Sequence, residues 1–593
     1  ASMRFAAVLL AASIDAFATT NRMASHHYDV SQIRLSLPNI GKLARGVTGK
    51  AKTHSSLRQS VVHLRGGSDT ADSQMDKSLN WQRSIGVCYY PEHWPRDVWE
   101  KDASDMAALG IKYVRIGEFM WSTIQPAPPP PPPASAVYDW SVLDDAVEVL
   151  GRHGLKVVLG TPTACPPKWL IDAHPDVLPY DARETPRKFG SRRHYSFSSP
   201  TFRAHTEAVC GAMAERYGKH PAVVGWQLDN EYGCHDTVRT YDPAAQRAFR
   251  AWLAARYGSI AALNAAWGAK FWSSEYRSFD EVDLPCGTVT EPSPSHRLDF
   301  FRFSSDQVLS YNALQAGVVG AASPGRFVTH NLMMLFFDID AWALARQLSF
   351  VTYDSYPLGF TDTTLGLGEL YTDEEKVRYA RTGHPDLAAW HHDLHRSLSR
   401  TGRFWIMEQQ PGPVNWATHN PAPAPGMVRV WTWEAFAHGA DVVSYFRWRQ
   451  CRFGQEQMHS GLNRPDMVPD VASGEARQVL AELSALQARL HGPDAAPAGR
   501  AGRTRLTRAG LVLDFAAQWM LQVQPQGGGF SYPALALRFY SALRSLGIQV
   551  DFVPPGADLA GYDLVVAPSL PLLAPEHVAA LAKYGGAAVG GPP

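Results

Sequence analysis

The sequence predicts an α/β protein, a (β/α)8 TIM barrel followed by a smaller doubly wound α/β domain that reads as truncated. Three observations predict it. From Ser84 onward, short apolar runs alternate with longer amphipathic stretches, the pattern of repeated βαβ units. Eight such runs precede a change of texture near Gly492. After that change the same alternation resumes on a smaller scale. Eight strands joined by helices close most simply into a barrel.

The eight runs are Ile85–Tyr90, Tyr113–Phe119, Val157–Pro162, Val223–Glu231, Phe327–Leu332, Phe350–Tyr356, Phe404–Gln409 and Val442–Trp448. Between the first two, "PRDVWEKDASDMAALG" spaces Val98, Met106 and Leu109 among charges and ends on glycine, which reads as a helix with its stop signal. "WSVLDDAVEVLGRHG" precedes the third run in the same way. Pro128–Pro133, in the loop after the second run, favour extended polyproline II backbone and read as a rigid surface insertion. "GPDAAPAGRAGR" reads as a linker. Beyond it lie "GLVLDF", the helix "PALALRFYSALRSLG", "IQVDFV", "YDLVVAPSL", the helix "PEHVAALAKYGG" and "AAVGG". The expected division is a targeting or disordered segment over 1–80, the barrel over 81–490 and the flavodoxin-like domain over 503–593.

Composition excludes several classes. Lys plus Arg and Asp plus Glu both number 56, so no basic excess points to nucleic acid. The six cysteines form no Cys-x-x-Cys pair, against a structural zinc site, so no metal is expected. No Gly-x-Gly-x-x-Gly opens a helix, and no cofactor is expected. No later stretch of 18 or more apolar residues suggests a membrane span. "MRFAAVLLAASIDAFATT" reads as a signal peptide followed by an acid-poor, transit-like segment, which suggests the secretory pathway or an organelle. The 18 Trp, many beside polar residues, suit sugar binding, because a pyranose has an apolar face flanked by hydroxyls.

Barrel chemistry sits where strands meet the loops that follow them. The fourth run ends in Asn230-Glu231 and the seventh in Glu408. A single Glu at a strand end is commonly a surface or capping residue. Two on opposite sides of a ring, beside Asn or Gln and near Trp, form the carboxyl pair that glycoside hydrolysis uses. The acid of such a pair must keep its proton, so Trp226 and the negative partner are expected to raise the pKa of Glu231. The nucleophile must stay ionised. Arg115, pointing inward from the second run, and the hydroxyl of Tyr356 are the expected partners of Glu408.

Together the stretches "GVCYYPEHWP", "YVRIGEFMWS", "GLKVVLGTPTACPPKWL", "SRRHYSFSSP", "WQLDNEYGCH", "VTYDSYP", "MEQQPGPVNWA" and "FRWRQCRFGQEQMHSGL" resemble, in order, the glycoside hydrolase family 42 β-galactosidases. The resemblance runs from about Ile85 to the C-terminus. It implies a retaining exo-β-galactosidase that releases terminal non-reducing β-D-galactosyl residues by double displacement. Glu231 is implied as acid/base and Glu408 as nucleophile. Arg115, Asn230, Tyr356, Trp416, Glu456 and His459 are implied as galactose-binding residues, with Tyr353 close enough in sequence to be confused with Tyr356. The implied partners are β-galactoside oligosaccharides or glycosides, with no nucleic acid and no membrane. A homotrimer is implied where the second domain is complete. The chain departs from the family in places. Some relatives carry a four-cysteine zinc cluster near the third strand, where Cys165 stands alone here, and Ser196-Phe197 replaces the pair expected after "RRHY". Two alternatives keep the pocket. One is the same chemistry on an α-L-arabinopyranoside or β-D-fucoside; the other is a non-catalytic galactoside-binding protein.

Overall fold

A computed structural model describes residues 83–130, 136–362, 370–491 and 507–590. The expected targeting segment, the second half of the proline run and the linker lie outside the described residues. Nine short parallel strands form one sheet: β1 Ser84–Cys88, β2 Tyr113–Ile116, β3 Lys156–Gly160, β4 Val223–Gln227, β5 Phe327–Thr329, β6 Asn331–Met333, β7 Val351–Ser355, β8 Phe404–Gln409 and β9 Ala440–Tyr445. Their order is β5-β4-β3-β2-β1-β9-β8-β7-β6. The two ends of that order, β5 and β6, are pieces of the single fifth run, so the ring closes through them.

The break at His330 has a local cause. The imidazole donates from Nδ1 to the Leu228 carbonyl at 2.8 Å and accepts at Nε2 from the Tyr232 amide at 3.1 Å. The fifth run is thereby tied to the turn after β4 instead of continuing as one strand. The first four strands also stop short of the expected runs, at Cys88, Ile116, Gly160 and Gln227. The residues beyond them curve inward as loops over the barrel mouth. At the last strand, expected to reach Trp448, pairing ends at Tyr445, and the Phe446–Arg447 peptide is cis.

Side-chain alternation along the strands builds two layers. Tyr113, Val158, Phe327, Phe350, Trp405, Met407 and Val442 fill the barrel interior. Val114, Ile116, Val223, Trp226, Ile406 and Val443 face outward and pack beneath the surrounding helices. Removing an interior ring of this kind costs about 3–5 kcal/mol. Gly225 makes room for the plug, since a Cβ there would stand 2.4 Å from the Phe327 ring. The helix Trp99–Leu109 ends as its sequence suggests, at Gly110 with φ of 98°. No helix among the described residues is long and apolar enough to cross a membrane.

The second region carries a parallel sheet of β10 Arg508–Val512, β11 Gln549–Val553, β12 Leu564–Ala567 and β13 Ala587–Gly590, in the order β11-β10-β12-β13. The order runs both ways from β10, with β11 on one side and β12 and β13 on the other, the doubly wound arrangement. The helix Phe515–Val523 had no counterpart in the sequence reading. This sheet is tied to the barrel through the helix Pro385–Leu398. Arg396 pairs with Asp551 at 2.8 Å, and the Tyr540 hydroxyl donates to Asp393 at 2.6 Å. The Trp519 indole donates to the Phe337 carbonyl at 2.6 Å.

Candidate active site

The turn after β4 has an unusual backbone. Asp229 and Glu231 have φ of 50° and 46°, the left-handed region that non-glycine residues seldom occupy. Side chains from three directions hold it. The Thr161 hydroxyl accepts from the Asp229 amide at 2.6 Å, and Thr163 donates to the Asp229 carboxylate at 2.6 Å. Tyr195 donates to the same carboxylate at 3.0 Å, and the Asn230 amide donates to it at 2.7 Å. Asn331 accepts from the Glu231 amide at 3.0 Å. Asp229 is therefore spent on folding the turn, and Asn230 and Glu231 are the residues it presents.

Glu408 reaches the pocket by a different device. In strict alternation, Met407 would face inward and Glu408 outward. Strand β8 is irregular here against both neighbours: register shifts between Ile406 and Gln409 opposite β9, and between Tyr353 and Asp354 opposite β7. Such a bulge lets two successive side chains take the same face. Met407 joins the interior plug while Glu408 enters the pocket above it.

The two carboxyl groups converge. One oxygen each from Glu231, Asp354 and Glu408 lie within 4.8 Å of one another, and all three residues are buried. Arg115 donates to Glu408 Oε1 at 2.7 Å and the Tyr356 hydroxyl to Oε2 at 2.5 Å. Arg115 is itself fixed by Gln227 at 3.0 Å, Tyr90 at 3.1 Å and Glu118 at 2.9 Å. The neighbouring Tyr353 points away, to His392 at 2.7 Å. His459 meets both Tyr356 and Phe446 edge to face, and Trp416, 36% exposed, meets Tyr356 in the same manner at 5.8 Å. Arg447 pairs with Glu456 at 3.0 Å. Contacts thus connect Glu231, Glu408, Arg115, Asn230, Tyr356, Trp416 and His459, and Glu456 is an electrostatic neighbour of His459 and Glu231.

The charge pattern corrects one expectation. Trp226 does not touch Glu231; its indole points outward and donates to Ser323 at 3.0 Å. Glu231 lies instead against two arginines, which sequence reasoning missed. Arg193 donates to its Oε2 at 2.8 Å and to its carbonyl at 3.0 Å, and Arg192 stands 3.2 Å from Oε2. Burial raises the Glu231 pKa, but Arg192 and Arg193 outweigh burial and hold it below the ordinary value. Glu408 is displaced upward by burial, with Arg115 opposing and Glu231 adding to the rise. At the far end, burial pushes His459 down to about 4, so its imidazole is neutral at physiological pH. Burial raises Glu456, yet Arg192 and Arg447 bring it below its usual value. The pocket therefore offers two anchored carboxylates, a third acceptor at Glu456, a neutral imidazole and an aromatic wall. A neutral, hydroxyl-rich ring matches that set.

The glycoside hydrolase family 42 model, described as "Beta-galactosidase", matches residues 88–486, and the "Beta-galactosidase trimerisation domain" model matches 507–592. The β-galactosidase of Thermus thermophilus is 56% identical over 508 residues, covering 86% of this chain and 75% of its own. That of Halorubrum lacusprofundi is 45% identical over 512 residues, covering 86% and 69%. The crystal structure of β-galactosidase from the psychrophilic Marinomonas ef1 superposes with a TM-score of 0.80 at 50% identity, covering 86% of this chain and 75% of that one. The chain belongs to glycoside hydrolase family 42.

Proposed function

We propose that the protein is a retaining exo-β-galactosidase in which Glu408 is the nucleophile and Glu231 the acid/base. The observation that carries the reading is the approach of the two carboxyls, with oxygens within 4.8 Å. Retaining pairs stand about 5–5.5 Å apart, whereas inverting pairs need about 6.5–9.5 Å to admit a water.

In the first step, a carboxylate oxygen of Glu408 attacks the anomeric carbon as Glu231 gives its proton to the departing glycosidic oxygen. A galactosyl ester forms and the aglycone leaves as an alcohol. In the second step, Glu231 takes a proton from water, whose oxygen attacks the same carbon and releases Glu408. The donors to Glu231 all meet Oε2, so a proton can ride on Oε1 while the arginines keep the group in place. Esterification of Glu408 removes a negative charge beside Glu231. That lowers the tendency of Glu231 to hold a proton when it must act as base. Asn230, 3.3 Å from Glu231, is assigned to the sugar 2-hydroxyl, whose hydrogen bond strengthens in the oxocarbenium-like transition state. Arg115 and Tyr356 favour the ionised form of Glu408 against the effect of burial, and orient it. Glu456 and His459 hold the far hydroxyls, and Trp416 offers the stacking face.

The domain that the trimerisation model matches is assigned to self-association as a homotrimer. A panel of nitrophenyl glycosides tests the sugar. The β-D-galactoside is expected to give the highest kcat/KM, above the β-D-fucoside and α-L-arabinopyranoside. A higher value for either of those would reassign the substrate.

A further inference from the structure

One buried carboxyl in the pocket has no part in the mechanism above. Asp354, on β7, is 1% exposed, and one of its oxygens lies within the 4.8 Å cluster with Glu231 and Glu408. Its Oδ2 accepts from Asn331 Nδ2 at 2.7 Å, while Oδ1 is buried without a hydrogen-bond partner.

Asn331 is fully committed. Its amide nitrogen donates to Asp354 and to Asn230 Oδ1 at 2.9 Å, and its oxygen accepts from the Glu231 backbone at 3.0 Å. Asn230 Oδ1 also accepts from Gln227 at 3.3 Å. Two donors on that oxygen leave Asn230 one amide orientation, with its nitrogen toward Glu231. Flipping it would set NH2 groups against each other. The chain Asp354–Asn331–Asn230 thus starts on β7, crosses β6 and ends on the strained turn after β4.

We propose that Asp354 is a positioning residue of the catalytic centre, which through Asn331 fixes the amide of Asn230 and the backbone of Glu231. The inference rests on the roles given above to Glu231 and Glu408. In this role Asp354 acts as an uncharged acid. Glu408, Glu231, Arg115, Cys88, Tyr353 and Tyr356 are the titratable or charged groups around it. Burial and the two neighbouring carboxylates disfavour a third negative charge, and Arg115 only partly opposes them.

Two variants test it. Asp354→Ala removes the acceptor and frees Asn331. Because the 2-hydroxyl contact strengthens in the transition state, the loss should fall on kcat, on the order of 100-fold, with KM for an aryl β-galactoside little changed. Asp354→Asn keeps an oxygen for Asn331 and stays uncharged. It should regain about 10-fold or more of that loss and leave both limbs of the pH–rate profile in place. In infrared difference spectra between native protein and Asp354→Asn, the native form should show the carbonyl stretch of a protonated carboxyl. That band and the pH profile need only the isosteric variant, should Asp354→Ala fail to fold. Limbs that move to lower pH in Asp354→Asn, an absent band, or an Asp354→Ala that is as active as native would each overturn the proposal. Labelling of native protein by a 2-deoxy-2-fluoro-galactosyl donor separates the two readings. A label away from Glu408 condemns the assignment of the catalytic pair; a label on Glu408 with the wrong Asp354 behaviour condemns this proposal alone.

Discussion

Replacing Glu408 with Ala should lower kcat for an aryl β-galactoside by at least about 10,000-fold, and azide should restore turnover as α-galactosyl azide. The size of the loss follows from the two-step route. Without a carboxylate at this position no ester forms, and direct attack by water finds no base on that side. Ala leaves a space beneath the anomeric carbon, lined by the donors Arg115 and Tyr356 that had held Glu408. A small anion fits that space and attacks from the vacated side. One displacement inverts the centre, so the product is the α-azide. Product analysis by NMR checks it; a β-azide, or native rates in the variant, would remove Glu408 from its role.

Glu231→Ala should show the complementary behaviour. Expulsion of an alkyl alcohol needs a proton, so kcat/KM for an alkyl β-galactoside should fall by about 100- to 10,000-fold. A dinitrophenolate leaves without help, so galactosylation by that substrate should suffer little and the ester should accumulate. Azide needs no base. It should speed the second step and give β-galactosyl azide, since two displacements retain configuration. The alkaline limb of kcat/KM should also disappear, because the group that must be protonated is gone. In native protein, Arg192 and Arg193 place that limb lower than an unpaired Glu beside a carboxylate would have it. A variant that loses alkyl and dinitrophenyl substrates equally would contradict the assignment.

Much of this site is legible in the sequence because it sits at strand ends. Apolar runs that stop in Asn230-Glu231 or Glu408 stand out, and Arg115 falls on an inward position of its strand. Other features are not legible from periodicity. Arg192 and Arg193 occur in a loop with no repeating pattern, so only the fold brings them to Glu231. The bulge that turns Glu408 inward is invisible to a two-residue repeat, which by itself would have turned that side chain outward. Trp226 is no neighbour of Glu231 for the opposite reason. It is five positions away in sequence, but strand alternation sends it to the opposite face. Asp354 lies within "VTYDSYP", where no periodic signal sets it apart from its neighbours. The eight runs predict the barrel well; the seventh coincides with its strand, while the first four, the sixth and the last extend past theirs. The loops that complete the pocket begin where neighbouring strands stop pairing, and that is a property of the assembled sheet.

The central claim is that Glu231 and Glu408 act on one anomeric carbon from opposite sides, with Glu408 forming the covalent bond. A 2-deoxy-2-fluoro-β-galactosyl donor with a good leaving group slows both steps, the second more, and so traps the ester. Proteolysis and mass spectrometry of the inactivated protein should then find a single fluorogalactosyl group on the peptide that carries "WIMEQQPG", at Glu408. Label on any other residue, or turnover with no trapped ester at all, would contradict the account.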